Sequence, residues 1–311
     1  MIRILHVDCN HTSLIEGLSA IGFESILDTS SSKNEIEQEI EQYHGLVIRS
    51  RFPIDKSFLS KAKNLRFIAR VGSGLENIDV KTAQKMGIAI IAAPEGNSPA
   101  VGEHAIGMLL SLFNNIPKAH QEVQNGLWQR EENRGEELGG KTVGIVGYGH
   151  TGKQFARMLS GFDVTVLCHD ILPNIGDGFA KQVALEQLQA EADILSLHLP
   201  LNDSTFEYVN EPFIDQMQKA FWLINTARGN QVVMKSLKKG LEAGAIKGAC
   251  LDVLDSESKA FDATLEPSEE WSYLSKHPKV LFTPHVAGWT QQSHRKLSEV
   301  IVAKIKALMV S

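Results

Sequence analysis

Two series of short apolar, β-branched runs, most of them followed by a helical pattern, constrain this chain more than any other feature. Such alternation makes parallel sheets joined by crossover helices, because parallel neighbours need a long connection to return. The first series lies at 3–7, 23–27, 46–49, 66–71 and 88–91, with amphipathic stretches such as 36–43 and 80–86 between its runs. The second lies at 142–146, 164–168, 193–197, 221–224, 247–251 and 280–282. Six strands at that spacing fit a complete doubly wound dinucleotide fold.

Between the series, 101–124 reads as one helix whose apolar positions Ile106, Leu109, Leu110, Leu112, Phe113 and Ile116 cover a wide arc. A helix that apolar is expected to be buried, between domains or at a subunit contact. A last helical pattern at 291–308 follows the final strand and is expected to return to the first domain. The expected division is 1–98 plus 289–311, with 99–288 inserted. The length, 311 residues, suits two domains.

Composition removes several classes of function. Hydrophobic residues are 43% and charged residues 22%, so the chain is globular rather than disordered or fibrous. Its net charge of −6 and the lack of a basic stripe argue against nucleic acid as a partner. Cys9, Cys168 and Cys250 are odd in number and far apart, which predicts no disulfide framework, no metal site and a reducing, cytoplasmic setting. The N-terminus turns acidic at Asp8, too early for a signal peptide, and the most apolar stretch, 105–113, is half of what a bilayer needs. No membrane partner is expected.

Gly147, Gly149 and Gly152 form G-x-G-x-x-G directly after an apolar strand, and a helix with Phe155, Met158 and Leu159 on one face follows. The glycines allow a tight turn, close approach to a pyrophosphate and helix–strand packing, and the anion sits on the free N–H groups of the helix start. The next strand ends at Asp170, eighteen residues beyond Gly152. An acid there accepts both hydroxyls of an adenosine ribose and repels a 2′-phosphate, so NAD is the expected cofactor.

In an open parallel sheet, chemistry gathers at the carboxyl ends of the strands. The second series places His198 to Pro200, Asn225 to Gly229, Asp252 to Glu257 and Thr283 to His285 there. Hydride transfer from a secondary alcohol needs a base for the hydroxyl proton and a cation for a substrate carboxylate. Histidine suits the first task, with a carboxylate to orient it, and the arginine fork suits the second.

At this point the chain resembles the D-isomer-specific 2-hydroxyacid dehydrogenases over nearly its whole length, and within them the phosphoglycerate dehydrogenase branch. The resemblance rests on RVGSGLENID at 70–79, GIAIIAAP at 87–94, the glycine motif, NTARG at 225–229, GACLDV at 248–253 and Pro284 with His285. It implies a flavodoxin-like substrate domain and a Rossmann NAD-binding domain, both doubly wound α/β. It further implies that Arg228 binds the substrate carboxylate and carbonyl, that His285 is the acid/base, and that Glu257 supports His285. The substrate carboxylate would also meet backbone N–H groups of Val71, Gly72 and Ser73 in the turn that Arg70 opens, and Arg70 counts with them as substrate-binding. The implied cofactor contacts are His150, Thr151, Asp170, Pro200, Thr226, Ala227, Arg228, Asp252 and His285 to Gly288. His104 is expected to be a packed structural residue.

The resemblance implies an oxidoreductase acting on a small 2-hydroxy or 2-oxo acid, with 3-phosphoglycerate, and so serine biosynthesis, as the first expectation. Arg49 and Arg130 match positions that hold the phosphate. Glu131 and Glu132 beside Arg130, and Trp289 where a serine is common, depart from the pattern. The segment from Glu257 to His285 is longer than usual and lacks the E-x-P-P turn. The chain ends at Ser311, so serine feedback through an added C-terminal domain is not expected. The alternatives are a glyoxylate or hydroxypyruvate reductase, or a non-catalytic NAD-sensing corepressor. A homodimer built around 101–124 is expected.

Overall fold

The computed structural model describes residues 2–257 and 268–310. Of the segment from Glu257 to His285, expected to be longer than usual, residues 258–267 lie outside the described residues. Among the described residues the chain forms two compact units, one holding 2–97 and 289–310, the other 98–257 and 268–288.

The first unit is built from β1 (Arg3–His6), α1 (Ser13–Ala20), β2 (Glu24–Leu27), α2 (Lys33–Glu39), β3 (Gly45–Ile48), α3 (Lys56–Lys61), β4 (Phe67–Arg70), α4 (Val80–Lys85) and β5 (Ala89–Ala92). All five strands are parallel, in the order β2-β1-β3-β4-β5. β3 and β4 are buried on both faces, which is why they read as unbroken apolar runs. Helix starts are set locally. Ser32 and Glu35 form a capping box at α2, and Asp55 and Asp79 accept the Phe58 and Thr82 N–H at α3 and α4.

The stretch read as one helix over 101–124 is two, α5 (Pro94–Phe113) and α6 (Ile116–Gln124). Asn115 breaks it by adopting φ +52°, and Pro117 then starts α6. The apolar face at 105–113 also has a different destination from the one expected. Ala105, Met108, Leu109, Leu112 and Phe113 pack onto the second unit's own sheet, among Val143, Ile145, Trp222 and Ile224.

That sheet and its helices are β6 (Thr142–Val146), α7 (His150–Leu159), β7 (Thr165–His169), β8 (Lys181–Gln182), α8 (Leu185–Glu191), β9 (Ile194–Leu197), α9 (Glu211–Gln216), β10 (Phe221–Asn225), α10 (Met234–Glu242), β11 (Ile246–Leu251), α11 (Glu269–Leu274) and β12 (Val280–Phe282). Its seven strands are parallel, in the order β12-β11-β10-β9-β6-β7-β8. Six of them match the expected runs; the two-residue edge strand β8 does not. The order reverses between β6 and β9, so the crevice that binds ligands in such sheets opens at their carboxyl ends. The final helix, α12 (Gln291–Val310), returns to the first unit and sets Leu297, Ile301 and Ile305 against Ile4, Leu14, Leu18 and Phe67.

Candidate active site

In the second unit, the turn after β6 is shaped by its glycines. Gly147 has φ +89°, and a β-carbon there would lie 2.6 Å from the His198 carbonyl oxygen. A β-carbon at Gly152 would lie 2.2 Å from Gly147 O, whereas one at Gly149 would meet nothing within 4 Å. The turn is therefore packed behind and open in front. No side chain caps the start of α7, so its first amides face that opening beside His150 and Thr151.

Asp170 follows β7, and its carboxylate is held on both oxygens: Tyr148 N–H donates to Oδ2 at 2.7 Å and Leu172 N–H to Oδ1 at 3.0 Å. The carboxylate is thereby anchored to the glycine turn. Tyr148 contributes again through its hydroxyl, which donates to Asp177 Oδ1 at 2.7 Å and ties down the segment beyond Asp170. Pro200 lies beyond β9, where its carbonyl accepts from Thr205 Oγ1 at 2.6 Å and Gln231 Nε2 at 3.1 Å.

β10 delivers the arginine. Asn225, fully buried at the strand end, accepts the Ala227 N–H at 3.0 Å and donates to Arg228 O at 2.9 Å, clamping the turn through Thr226 and Ala227. Thr226 Oγ1 is buried with no hydrogen-bond partner among the described residues. The Arg228 Nη1 donates to Ala227 O at 2.6 Å. Gly229 accounts for the last letter of the motif: a β-carbon there would lie 1.9 Å from the Leu254 carbonyl carbon. The arginine turn is thus pressed directly onto the segment leading to Glu257.

β11 and β12 deliver the remaining groups. Asp252 is fully buried and accepts from Thr283 Oγ1 at 2.6 Å and from the Val286 and Ala287 N–H groups at 2.9 Å. Its own carbonyl accepts the His285 N–H at 2.7 Å. Asp252, expected as a cofactor contact, uses its carboxylate to fix the loop that carries the histidine. His285 has φ +53°, a left-handed conformation that costs a non-glycine residue ~1–3 kcal/mol and persists only where surroundings enforce it. Its Nδ1 lies 2.6 Å from Glu257 Oε2, and Glu257 Oε1 accepts the Leu254 N–H at 2.8 Å. This pairing assigns the Nδ1 proton to the Glu257 bond and leaves the lone pair of the neutral ring on Nε2. His104 Nε2 sits 3.0 Å from Thr283 Oγ1, a packed position on α5. His198 is buried against Phe155, bonded to Ser196 Oγ at 2.9 Å, and burial holds it neutral with a pKa of about 3. Its burial and its bond to Ser196 are those of a packed core histidine.

Among the described residues, no group of three His, Cys, Asp or Glu could hold a metal. The residues present do suit a dinucleotide. The packed-behind, open-in-front glycine turn, the anchored Asp170 and the unsatisfied Thr226 hydroxyl are what a cofactor with phosphates, a ribose and an amide would engage.

The first unit carries the other expected groups. At the end of β4, Arg70 is 8% exposed and its guanidinium folds back over Gly72, where a β-carbon would lie 1.3 Å from Nη1. The Val71 N–H donates to Ile48 O and the Gly72 N–H to Arg70 O, both at 2.9 Å. Of the three backbone donors expected for a carboxylate, two are engaged within the fold, and the Ser73 N–H has no acceptor among the described residues. Arg49, at the end of β3, lies with Cζ 4.2 Å from the centre of the Trp289 ring. Glu131 pairs with Arg134 at 2.5 Å on the surface, and Arg130 and Glu132 are exposed beside them.

Residues 106–287 match the family model of the D-isomer specific 2-hydroxyacid dehydrogenase, NAD binding domain. The chain belongs to the D-isomer-specific 2-hydroxyacid dehydrogenases. Within that family, it is 31% identical over 98% of its length to D-3-phosphoglycerate dehydrogenase of Archaeoglobus fulgidus, of which it spans 56%. It is 32% identical over 88% of its length to hydroxypyruvate reductase of Thermotoga maritima, of which it spans 87%. Among solved structures, the TT0316 protein of Thermus thermophilus is similar over 99% of this chain and 97% of that one, with TM-score 0.83 and 27% identity. The two parallel α/β units are the fold of this dehydrogenase family, and its second unit is the family's NAD-binding part.

Proposed function

We propose that this dehydrogenase interconverts a D-2-hydroxy acid and its 2-oxo acid with NAD, and that the acid is 3-phosphoglycerate. The observation that carries the reaction class is the 2.6 Å contact between His285 Nδ1 and Glu257 Oε2 beside the Arg228 turn. Bound NAD supplies the hydride acceptor. Arg228 binds and orients the substrate carboxylate. His285 takes the C2 hydroxyl proton on Nε2, and Glu257 stabilises the imidazolium that results. His150, Thr151, Asp170, Pro200, Thr226, Ala227 and Gly288 hold the cofactor. Retention of Arg228, Glu257 and His285 together disfavours a non-catalytic corepressor.

The phosphoglycerate reading draws on relatives such as the Archaeoglobus protein and on Arg49, and it places the reaction at the entry to serine biosynthesis. The Thermotoga relative, matched over most of both chains, favours a second reading, reduction of hydroxypyruvate or glyoxylate. We further propose a cytoplasmic homodimer. All three cysteines are free, and no described helix is long and apolar enough to cross a membrane. α6 buries none of its residues, and Ile116, Val123, Leu127 and Trp128 are exposed in and after it.

The test is the absorbance of reduced nicotinamide. Appearance with NAD and 3-phosphoglycerate supports the first substrate. Consumption only with hydroxypyruvate or glyoxylate transfers the assignment to the second reading, and no change with any of these acids overturns both.

A further inference from the structure

We propose that His104 is a positioning residue for the catalytic step: through Thr283 and Asp252 it holds the loop that aims His285. This role rests on the reading of His285 as the acid/base of a D-2-hydroxyacid dehydrogenase, and it adds a group away from the substrate on which that aim depends.

The relay starts on a fixed support. His104 and Met108 stand one turn apart on α5, so they present to the same side of the helix. Ala105, Met108, Leu109 and Phe113 are buried against the second unit's sheet, which leaves this part of α5 little freedom to move. His104 and Met108 both reach one atom just beyond the end of β12, Thr283 Oγ1, with Nε2 at 3.0 Å and Sδ at 3.6 Å.

Acceptor strength sets the direction of each hydrogen bond. The Thr283 hydroxyl has one proton, and it faces Asp252 Oδ1 at 2.6 Å and the Met108 thioether at 3.6 Å. A carboxylate is much the stronger acceptor, so the proton goes to Asp252. The Thr283 oxygen then accepts from His104, which assigns the ring proton to Nε2. That Nε2 also stands 3.6 Å from Asp252 Oδ1, and Asp252 is fully buried. An N–H dipole beside a buried carboxylate offsets part of the cost of its desolvation.

Asp252 passes the constraint to the loop. Its Oδ1 accepts the Val286 N–H and its Oδ2 the Ala287 N–H, both at 2.9 Å, while its carbonyl accepts the His285 N–H at 2.7 Å. His285 has φ +53°, a backbone that relaxes unless its surroundings enforce it. A carboxylate free to rotate about its own torsions would release two of the three amides that enforce it. Thr283 and His104 remove that freedom.

Turnover and amide exchange test the relay. With 3-phosphoglycerate, or with hydroxypyruvate where that is the acid turned over, His104→Leu should lower kcat about ten-fold, the loss of one hydrogen bond in a buried network, and change KM by about two-fold at most. His104→Gln keeps an N–H donor at similar reach and should recover most of the turnover. Thr283→Val cuts the relay at its middle, and adding His104→Leu to it should cost nothing more; fully additive losses overturn the role. Thr283→Val also judges the relay if His104→Leu does not fold. Amide hydrogen exchange needs no substrate: the His285, Val286 and Ala287 N–H groups should exchange about ten-fold faster in His104→Leu, with the β6 amides unchanged. Wild-type turnover, or loop exchange no faster than before, overturns the role. Equal acceleration in β6 does so too, because it marks a general loosening. If the chain turns over no such acid, the functional reading falls by itself, and exchange alone decides whether His104 holds the loop.

Discussion

His285 combines a left-handed backbone with a carboxylate 2.6 Å from Nδ1, and both features serve to aim Nε2. The strain is held by Asp252, whose carbonyl and carboxylate together take three backbone N–H groups of the loop. His285→Ala should therefore lower turnover by ~10²–10⁴-fold while affinity for the reduced cofactor, measured by nicotinamide fluorescence, persists. Near-normal turnover would exclude His285 as the acid/base. Asp170 makes a second prediction at this scale. Its carboxylate is anchored by two amides, so Asp170→Asn should weaken NAD binding by about ten-fold or more and narrow the preference over NADP. Equal wild-type efficiency with both cofactors would count against its role at the ribose.

Among the elements, the arginine turn after β10 and the segment after β11 are joined by close approach rather than by side-chain packing. Gly229 allows this, because a β-carbon there would stand 1.9 Å from the Leu254 backbone, which has no flexible end to yield. Gly229→Ala should force the Arg228 turn away from the Glu257 segment. The expected result is loss of ~1–3 kcal/mol in denaturant unfolding and a raised substrate KM with cofactor binding retained. An unchanged KM and stability would show that the turn tolerates the shift. The C-terminal helix illustrates the opposite case. α12 is far from β1 in sequence yet supplies Leu297, Ile301 and Ile305 to its core, so its attachment is hydrophobic area rather than one contact.

For the molecule as a whole, acid is the condition that should unfold it. His6 and His198 are buried, and burial lowers their pKa values to about 4 and about 3. Both are neutral in the folded chain and take up protons more readily when unfolded. Their contribution is present above the unfolded value of about 6.5 and is lost as pH falls through 6.5 toward 3–4, at up to ~1.4 kcal/mol per pH unit for each. Unfolding free energy measured from pH 7 to pH 4 should fall accordingly, and replacing His198 with Asn should flatten the slope. A slope unaffected by that replacement would mean that carboxylates dominate acid unfolding.

Much of the architecture is legible in the order of residues alone, for a physical reason. Strands buried on both faces of a parallel sheet must be continuous apolar runs, as β3, β4, β9 and β10 are, and every strand but β8 lies within two residues of its pattern. β8 offers only Lys181 and Gln182 at an edge, and no apolar signal marks it. The break at Asn115 is written in the sequence as Asn114, Asn115 and Pro117, but the continuous apolar arc on either side outweighs it. The types and spacing of Arg228, Glu257 and His285 are legible too, since strand ends recur at regular intervals. Folding decided the rest. It brought Glu257 onto His285, turned Asp252 toward the backbone of the histidine loop, committed the Val71 and Gly72 amides and set Trp289 and His294 against Arg49 and His11. Local periodicity records which face of an element is buried, but contacts between residues far apart along the chain depend on strand order and loop course, which no local pattern encodes.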